Sequence, residues 1–296
     1  VVMVWELGAA TCEGYPVPAA LGEDELFSAG SAVGGAVVMA PWNAAGVAVF
    51  HVEERVLQTI GLGRVAPAPF LFSGAVTCSD EVVMAPHNAT RIMVYRDGAC
   101  RSLSLPVKPR PFLFASAVSN GSTAVLVPQN SSQVVVYEGG ALRAVDAPLG
   151  QGLGQVRAAG FADGCLVMAP HHGGKALVWD TQRSVESFEV APTHSAAFCA
   201  VSPWGQRALL VPSGVSRLLL LDPSELLRRR RLDSQLSGAI AGARAAHHLA
   251  RRAYTRRLAA SERLGVRLHY LLEDFPSAAR LATGEDDPDF HTIAAR

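Results

Sequence analysis

Residues 82–96 read VVMAPHNATRIMVYR: an apolar run from Val82, a proline at Pro86, the polar pair His87 and Asn88, and a second apolar run ending at Tyr95. The alternative to a hairpin would be a helix, but β-branched residues dominate both runs and the proline falls between them. Proline lacks an N–H and is tolerated in sheets only at ends and edges, so Pro86 is expected to stop the pairing of the first strand. Asn88, two places on, is expected to hydrogen-bond its own backbone or turn left-handed and so tighten the turn. His87 is left without a structural duty.

The stretch recurs. Aligned on the proline, the chain contains VVMAPWNAAGVAVF from Val37, VVMAPHNATRIMVY from Val82, AVLVPQNSSQVVVY from Ala124, LVMAPHHGGKALVW from Leu166 and ALLVPSGVSRLLLL from Ala208. The prolines are Pro41, Pro86, Pro128, Pro170 and Pro212, spaced 45, 42, 42 and 42. Nine residues after each comes Phe50, Tyr95, Tyr137, Trp179 or Leu221, and Trp5 falls 45 residues before Phe50. The chain therefore begins inside a sixth copy, of which only the last two strands remain.

A further apolar segment precedes each proline unit, clearest in FLFSGAVTCSD from Phe70 and FLFASAVSNGS from Phe112. A polar turn and an alternating segment such as CRSLSLPV follow each large residue. Each unit reads as four short strands, A to D, with A, B and C nearly continuous in apolar residues and D alternating. A four-stranded unit cannot bury both faces alone, and a period of about 40 to 50 residues with four strands is that of a β-propeller blade. Helical solenoids of similar period would need two amphipathic helices per unit, which these runs do not supply.

The pattern resembles β-propeller repeats over roughly residues 1–222, at the level of architecture. Trp179-Asp180 ends a C strand as in WD repeats, but no copy carries their Gly-His and no kelch double glycine recurs, so the chain is not a clear member of either. The fold class expected is all-β, a β-propeller of five or six blades with a C-terminal α-helical extension. Ring closure is expected from N-terminal strands pairing with the last blade.

Composition agrees with a packed domain: 49% of the 296 residues are apolar and the formal net charge is zero. Charge is uneven, however, with 13 basic and 17 acidic residues in 1–223 against 11 and 3 in 224–270. Two domains are expected, a propeller over 1–222 and a basic helical extension with an acidic irregular tail over 223–296. Ser224 is the expected N-cap, and Leu232, Leu236, Ile240, Ala243, Ala250, Tyr254 and Leu258 recur at helical spacing. Two or three helices are expected, broken near Gly238 to Gly242 or near Gly265.

Five scattered cysteines fit neither a disulfide framework nor a CxxC metal site and point to a reducing compartment. The uncharged run from Leu26 to Val52 is interrupted by Pro41, Asn43 and glycines and is not a membrane span. The chain opens on Val1 with no charged leader, so an intracellular, soluble protein with a segment missing upstream is expected. The sequons at Asn88, Asn120 and Asn130 are read first as turn chemistry.

In a propeller all B-to-C turns emerge on one rim, beside the blade-to-blade connections. That rim would gather Trp42, His87, Gln129, His171, His172 and Ser213, varied residues on a constant frame, as a binding face requires. No metal is expected, since repeat geometry spreads equivalent turns apart while a site needs ligands converging at about 2 Å. No G-x-S-x-G elbow is present, and the glycine-rich stretch Gly150 to Gln155 has no strand-to-helix context for phosphate binding. No catalytic residue and no cofactor is assigned. The function expected is that of a protein-interaction scaffold binding through this rim. Its basic helices (Arg228, Arg229, Arg230, Arg231, Arg251, Arg252, Arg256, Arg257) would dock it to a protein partner or a larger assembly. The alternatives are a propeller enzyme (lyase, hydrolase or isomerase) using histidines over the central channel, and a protein docking RNA or an anionic membrane through the same arginines.

Overall fold

The computed structural model describes residues 2–6, 11–22, 25–63, 65, 68–149, 156–172, 174–190, 197–215 and 218–263. These divide into two compact units, residues 1–228 and 229–296. The first is a β-propeller. Its first sheet has two strands, β1 (Val2–Glu6) and β2 (Thr11–Tyr15), at the C and D places of the first repeat. The second sheet is β3 (Phe27–Val33), β4 (Ala36–Pro41), β5 (Gly46–His51) and β6 (Val56–Gly61). The third is β7 (Phe72–Cys78), β8 (Glu81–Pro86), β9 (Arg91–Arg96) and β10 (Ala99–Ser104). The fourth is β11 (Phe114–Ser119), β12 (Thr123–Pro128), β13 (Gln133–Glu138) and β14 (Ala141–Asp146). The fifth is β15 (Val156–Ala162), β16 (Cys165–Pro170), β17 (Lys175–Trp179) and β18 (Glu186–Glu189). The last has three strands, β19 (Phe198–Trp204), β20 (Arg207–Pro212) and β21 (Leu219–Leu221).

Every sheet is an antiparallel meander in chain order, and the A strands β3, β7, β11, β15 and β19 pack on one another in succession. The B strands show why each must be apolar on both faces. Val82 and Met84 pack with Val38, Val47 and Val49 of the second sheet, whereas Val83 and Ala85 pack with Leu126 and Tyr137 of the fourth. The same alternation continues, with Val125 and Val127 against Leu166 and Met168, and Val167 and Ala169 against Ala208 and Leu210. A strand period of two therefore serves two neighbours. At ~1.5–3 kcal/mol per buried aliphatic side chain, these interfaces are the dominant favourable term. The A strands depart from the expected continuous burial: β11 is half-buried along most of its length and β3 alternates with exposed positions.

Pairing around the proline also differs in detail. Strand β8 pairs with β9 only over Val82–Met84, but Pro86 remains in register with Phe72 of β7. The proline thus ends pairing on one side only. Opposite it every A strand carries a bulge, leaving Ser28, Ser73, Ala115, Arg157 and Cys199 as the extra residue.

The expected closure is not formed by strand pairing among the described residues: β1 and β2 make a sheet of their own. Their contacts run to the second sheet, where Tyr15 stacks on Phe50 at 4.8 Å and Arg55 pairs with Glu13.

Helix α1 (Pro223–Arg263) runs unbroken for 41 residues, so the expected break near Gly238 to Gly242 is not formed. Gly238 and Gly242 lie inside it without breaking it, and a Cβ at either would meet nothing within 4 Å. Each glycine costs the helix about 1 kcal/mol of propensity, which the alanine-, leucine- and arginine-rich surroundings outweigh. Its N-cap is Asp222 rather than Ser224: Asp222 Oδ1 accepts the Glu225 N–H at 2.9 Å, with Pro223 at the first helical position. The Ser224 hydroxyl donates to Asp163 instead. Leu227 is buried among Phe198, Ala208 and Leu210, and from Arg228 to Ala253 every residue is exposed. The expected break at Gly265 and the acidic tail fall outside the described residues.

Candidate functional site

The post-proline residues hold the blades together through their main chains. Trp42 N–H donates to Leu26 and Leu71 N–H donates to the Trp42 carbonyl; His87 N–H donates to Leu71 and Leu113 N–H to the His87 carbonyl. Gln129 N–H then donates to Leu113, and at the other end Ala197 N–H donates to His171 and Ser213 N–H to Ala197. Both backbone groups are spent on the frame at Trp42 and His87, and at least one at Gln129, His171 and Ser213, whatever the side chain. That is why the side chain is free to vary.

The asparagines two places after the proline do not make the expected tight turn with their own backbone, and none of Asn43, Asn88 and Asn130 has a positive φ. Their side chains tie loops of different blades. Asn88 Nδ2 donates to the Pro69 carbonyl at 2.9 Å and its Oδ1 accepts the Phe112 N–H at 3.1 Å; Asn43 Oδ1 accepts the Phe70 N–H, and Asn130 Nδ2 donates to Pro111. The left-handed residues are the phenylalanines themselves, Phe70 at φ 59 and Phe112 at φ 56. In that conformation each ring lies against the post-proline residue of the preceding blade, Phe70 on Trp42 at 4.8 Å and Phe112 on His87 at 4.9 Å. Trp42 and His87 are themselves 4.9 Å apart, so four rings form one wall.

This rim encloses a cavity of about 410 Å³ lined by Ser28, Trp42, Ser73, His87, Ala115, Gln129, Val156, Arg157, His171 and His172. Five of the six rim residues expected from sequence meet there; Ser213 is exposed on its turn and does not line it. The second contributors are the bulge residues Ser28, Ser73, Ala115 and Arg157, which sequence reasoning missed. Their signal was present, since each follows the large residue aligned with Pro41, Pro86, Pro128 or Pro170, but only the bulge turns that residue into the cavity.

The two histidine positions differ in chemistry. His87 is buried, and its Nδ1–H donates to the Phe114 carbonyl at 3.1 Å, which fixes the tautomer and leaves Nε2 as an acceptor. The Ser73 hydroxyl donates to the same carbonyl at 2.7 Å. Burial holds the His87 pKa below the ordinary histidine value, against the opposing Phe114 bond. His171 lies 4.5 Å from His172, and its buried Nδ1 has no hydrogen-bond partner among the described residues. Burial first, then the neighbouring His172 and Arg157, lower its pKa, while the Phe198 carbonyl opposes the shift without meeting hydrogen-bond geometry. Both imidazoles are therefore neutral near pH 7. Among the described residues no group of three or more His, Cys, Asp or Glu is arranged to hold a metal ion.

A second cavity, of about 650 Å³, is bordered by Cys78, Glu81, Arg96, Cys100, Arg101 and Tyr137, among others. Glu81 is a buried carboxylate: the Tyr137 hydroxyl donates to it, and Arg101 Nη2 donates to both, at 2.8 Å to Glu81 and 2.7 Å to Tyr137. Burial and then Glu81 push the Tyr137 pKa up, and burial pushes Cys100 up to about 11 and raises Cys78. The thiols are held protonated and the carboxylate is satisfied, so this group ties the third and fourth sheets rather than offering a nucleophile. A lone carboxylate opening a B strand, where the other copies have Ala36, Thr123, Cys165 and Arg207, was the available sequence signal.

On α1, Arg228 is engaged by Glu225 through two hydrogen bonds of 2.7 and 2.9 Å. His248, Arg251, Arg252 and Arg256 border a concavity of about 480 Å³, Arg229 to Arg231 are exposed, and the Arg257 side chain lies outside what the structure describes. Leu232, Leu236 and Ile240 are exposed on the same helix. No described helix is long and apolar enough to cross a membrane. The glycine-rich Gly150 to Gln155 also falls outside the described residues.

No protein-family model matches the chain, and no curated protein sequence matches it. Its fold is similar to solved structures. Virginiamycin B lyase from Staphylococcus aureus superposes at a TM-score of 0.59 with 16% identity, covering 74% of this chain and 73% of the lyase. A streptogramin B lyase superposes at 0.53 with 14% identity, covering 74% of each chain. YCF48 bound to D1 peptide reaches 0.49 with 16% identity, covering 67% of this chain and 63% of that one. Propellers of this fold thus include enzymes, and identities this low speak for the fold alone.

Proposed function

We propose that the protein is a non-enzymatic recognition module. Its rim cavity receives a ligand group or a segment of a partner, and the basic helix docks the propeller to a larger assembly. One observation carries this reading: the cavity's two serine hydroxyls and His87 are committed to the frame. Ser28 and Ser73 donate to the Phe72 and Phe114 carbonyls and His87 donates to Phe114, so neither hydroxyl is paired with an imidazole base, and among the described residues no carboxylate lines the cavity to orient one. What remains is an aromatic wall, an amide and a cation around a concave space, the composition of a binding pocket. The test is affinity capture with the full chain, in parallel with Trp42→Ala/Gln129→Ala and with Arg251→Ala/Arg252→Ala. The reading predicts that the same partner is retained by the wild type and lost or weakened by both variants. Partners indifferent to the cavity variant would overturn it.

A lyase-like enzyme is the second reading, favoured by one finding: His87, His171 and His172 share a single cavity, and His87 and His171 are held neutral, as proton acceptors must be. Two of the solved propellers similar in fold are lyases. Under this reading His171→Gln and His172→Gln abolish turnover of a bound ligand while leaving its affinity intact; under the first they change affinity alone.

A further inference from the structure

The rim cavity is polarised. At one end Trp42 of the second sheet and His87 of the third present an aromatic wall of mutually tilted rings, backed by Phe70 and Phe112. At the other, on the fifth sheet, stand Arg157, His171 and His172, with Gln129 and Ala115 between. Arg157 is the departure at the bulge position, where the preceding three sheets carry Ser28, Ser73 and Ala115. It replaces a short side chain with an exposed guanidinium, and among the described residues no carboxylate lines the cavity. Among the described residues no ion pair engages it. On the same sheet His171 Nδ1 is buried, likewise without a partner among them.

We propose that this cavity binds an aromatic carboxylate, its ring stacked on Trp42 and His87 and its carboxylate held by Arg157. The inference rests on reading the rim cavity as the ligand site. A guanidinium fork matches a carboxylate through two parallel hydrogen bonds, and a cation held beside neutral imidazoles has no internal counter-ion to displace. The lowered pKa of His171, to which Arg157 contributes, agrees with uncompensated positive potential at that end. A volume of about 410 Å³ suits a ring with a short acid arm and is too small for a folded surface. Such a group comes either as a free aromatic acid or as the C-terminal aromatic residue of a peptide; both offer the same chemistry.

Isothermal titration of the full chain with phenylacetate and with phenylacetamide tests it, beside pentapeptides ending in Phe as free acid and as amide. The acid is expected to bind at least about tenfold more tightly than its neutral isostere. Arg157→Gln should remove that preference while the amide's affinity stays as in wild type, which shows the exposed substitution has left the cavity intact. Equal binding of acid and amide by the wild type, or a preference that survives Arg157→Gln, overturns the carboxylate inference and leaves the rim reading standing. If no probe binds, both fall. A peptide acid tighter than phenylacetate identifies a chain end as the source, and the reverse order a free acid.

Discussion

The third sheet and the last are copies of one repeat, yet they differ in burial because they differ in neighbours. In β8 all six residues of EVVMAP are buried; in β20 the corresponding RALLVP buries only Ala208 and Leu210. Those two face the fifth sheet, and Leu209 and Val211, which point the other way, are half-exposed. Trp204, Leu218 and Leu220 are exposed on the same sheet. Apolar alternation makes a strand capable of burial on both faces; a blade on each side is what buries it. The post-proline position follows the same rule, since His87 is covered by Phe112 of the next blade and Ser213 is open.

The sharpest way to break an inner blade is at its closest approach. A Cβ on Gly74 would stand 2.7 Å from the Ala117 backbone nitrogen of the next A strand, so Gly74→Val should cost about 3 kcal/mol or more in urea unfolding. Gly205, in the hairpin of the last sheet, has φ +59 and open space around it, so Gly205→Ala should cost only about 1 kcal/mol. Equal losses would mean that the blades do not pack as described.

A second pair inverts the usual expectation from side-chain size. Val125 is fully buried and Leu209, at the same place in its repeat, is not. Val125→Ala should lower stability by about 2 kcal/mol and Leu209→Ala by less than about 1 kcal/mol, although the second removes more carbon. The denaturation midpoints of the two variants decide it. If the leucine costs more, β20 has a neighbour in solution.

Asn88→Ala removes a donor and an acceptor between loops and should cost about 1 kcal/mol, seen as a lowered thermal midpoint, with hydrogen exchange at the Phe112 amide accelerated. Asn88→Asp keeps the acceptor for Phe112 and should lose less.

The smallest effect is in pH. His87 and His171 have folded pKa values below the ordinary 6.5, so their contribution is complete above that value and is lost as pH falls through the folded values. Stability should fall as pH drops below the ordinary histidine value of 6.5, and His87→Gln should flatten part of that slope. An unchanged slope would mean that His87 is hydrated rather than buried.

Much of the architecture was legible because propeller blades write a period into the chain. Pro41 to Pro212, with a large residue nine places on, located every B and C strand, and the gathering of Trp42, His87, Gln129, His171 and His172 followed from topology alone. The helix beginning just after Asp222 was legible too, but its continuity was not: Gly238 and Gly242 signal a break only if nothing else favours the helix. Asn88 was read as a local turn former because sequence shows what precedes and follows a residue, while its partners Pro69 and Phe112 belong to loops 19 and 24 residues away. Glu81 was missed for the same reason, its tyrosine lying 56 residues on.

The sequence by itself determined the repeat, the strands, the rim on which the variable side chains emerge and the change to a basic helix. These depend on periodicity, on the missing N–H of proline and on which residues favour pleated or helical backbone, all local properties. Tertiary structure alone decided what the variable side chains are for. Bulges opposite the prolines turned Ser73 and Arg157 into the cavity, the carbonyl of Phe114 in the next blade accepted the hydrogen bond of His87, and His171 was left with a nitrogen that no described residue satisfies. A side chain acquires its chemistry from atoms that the fold brings to within about 3 Å of it, and those atoms come from other repeats.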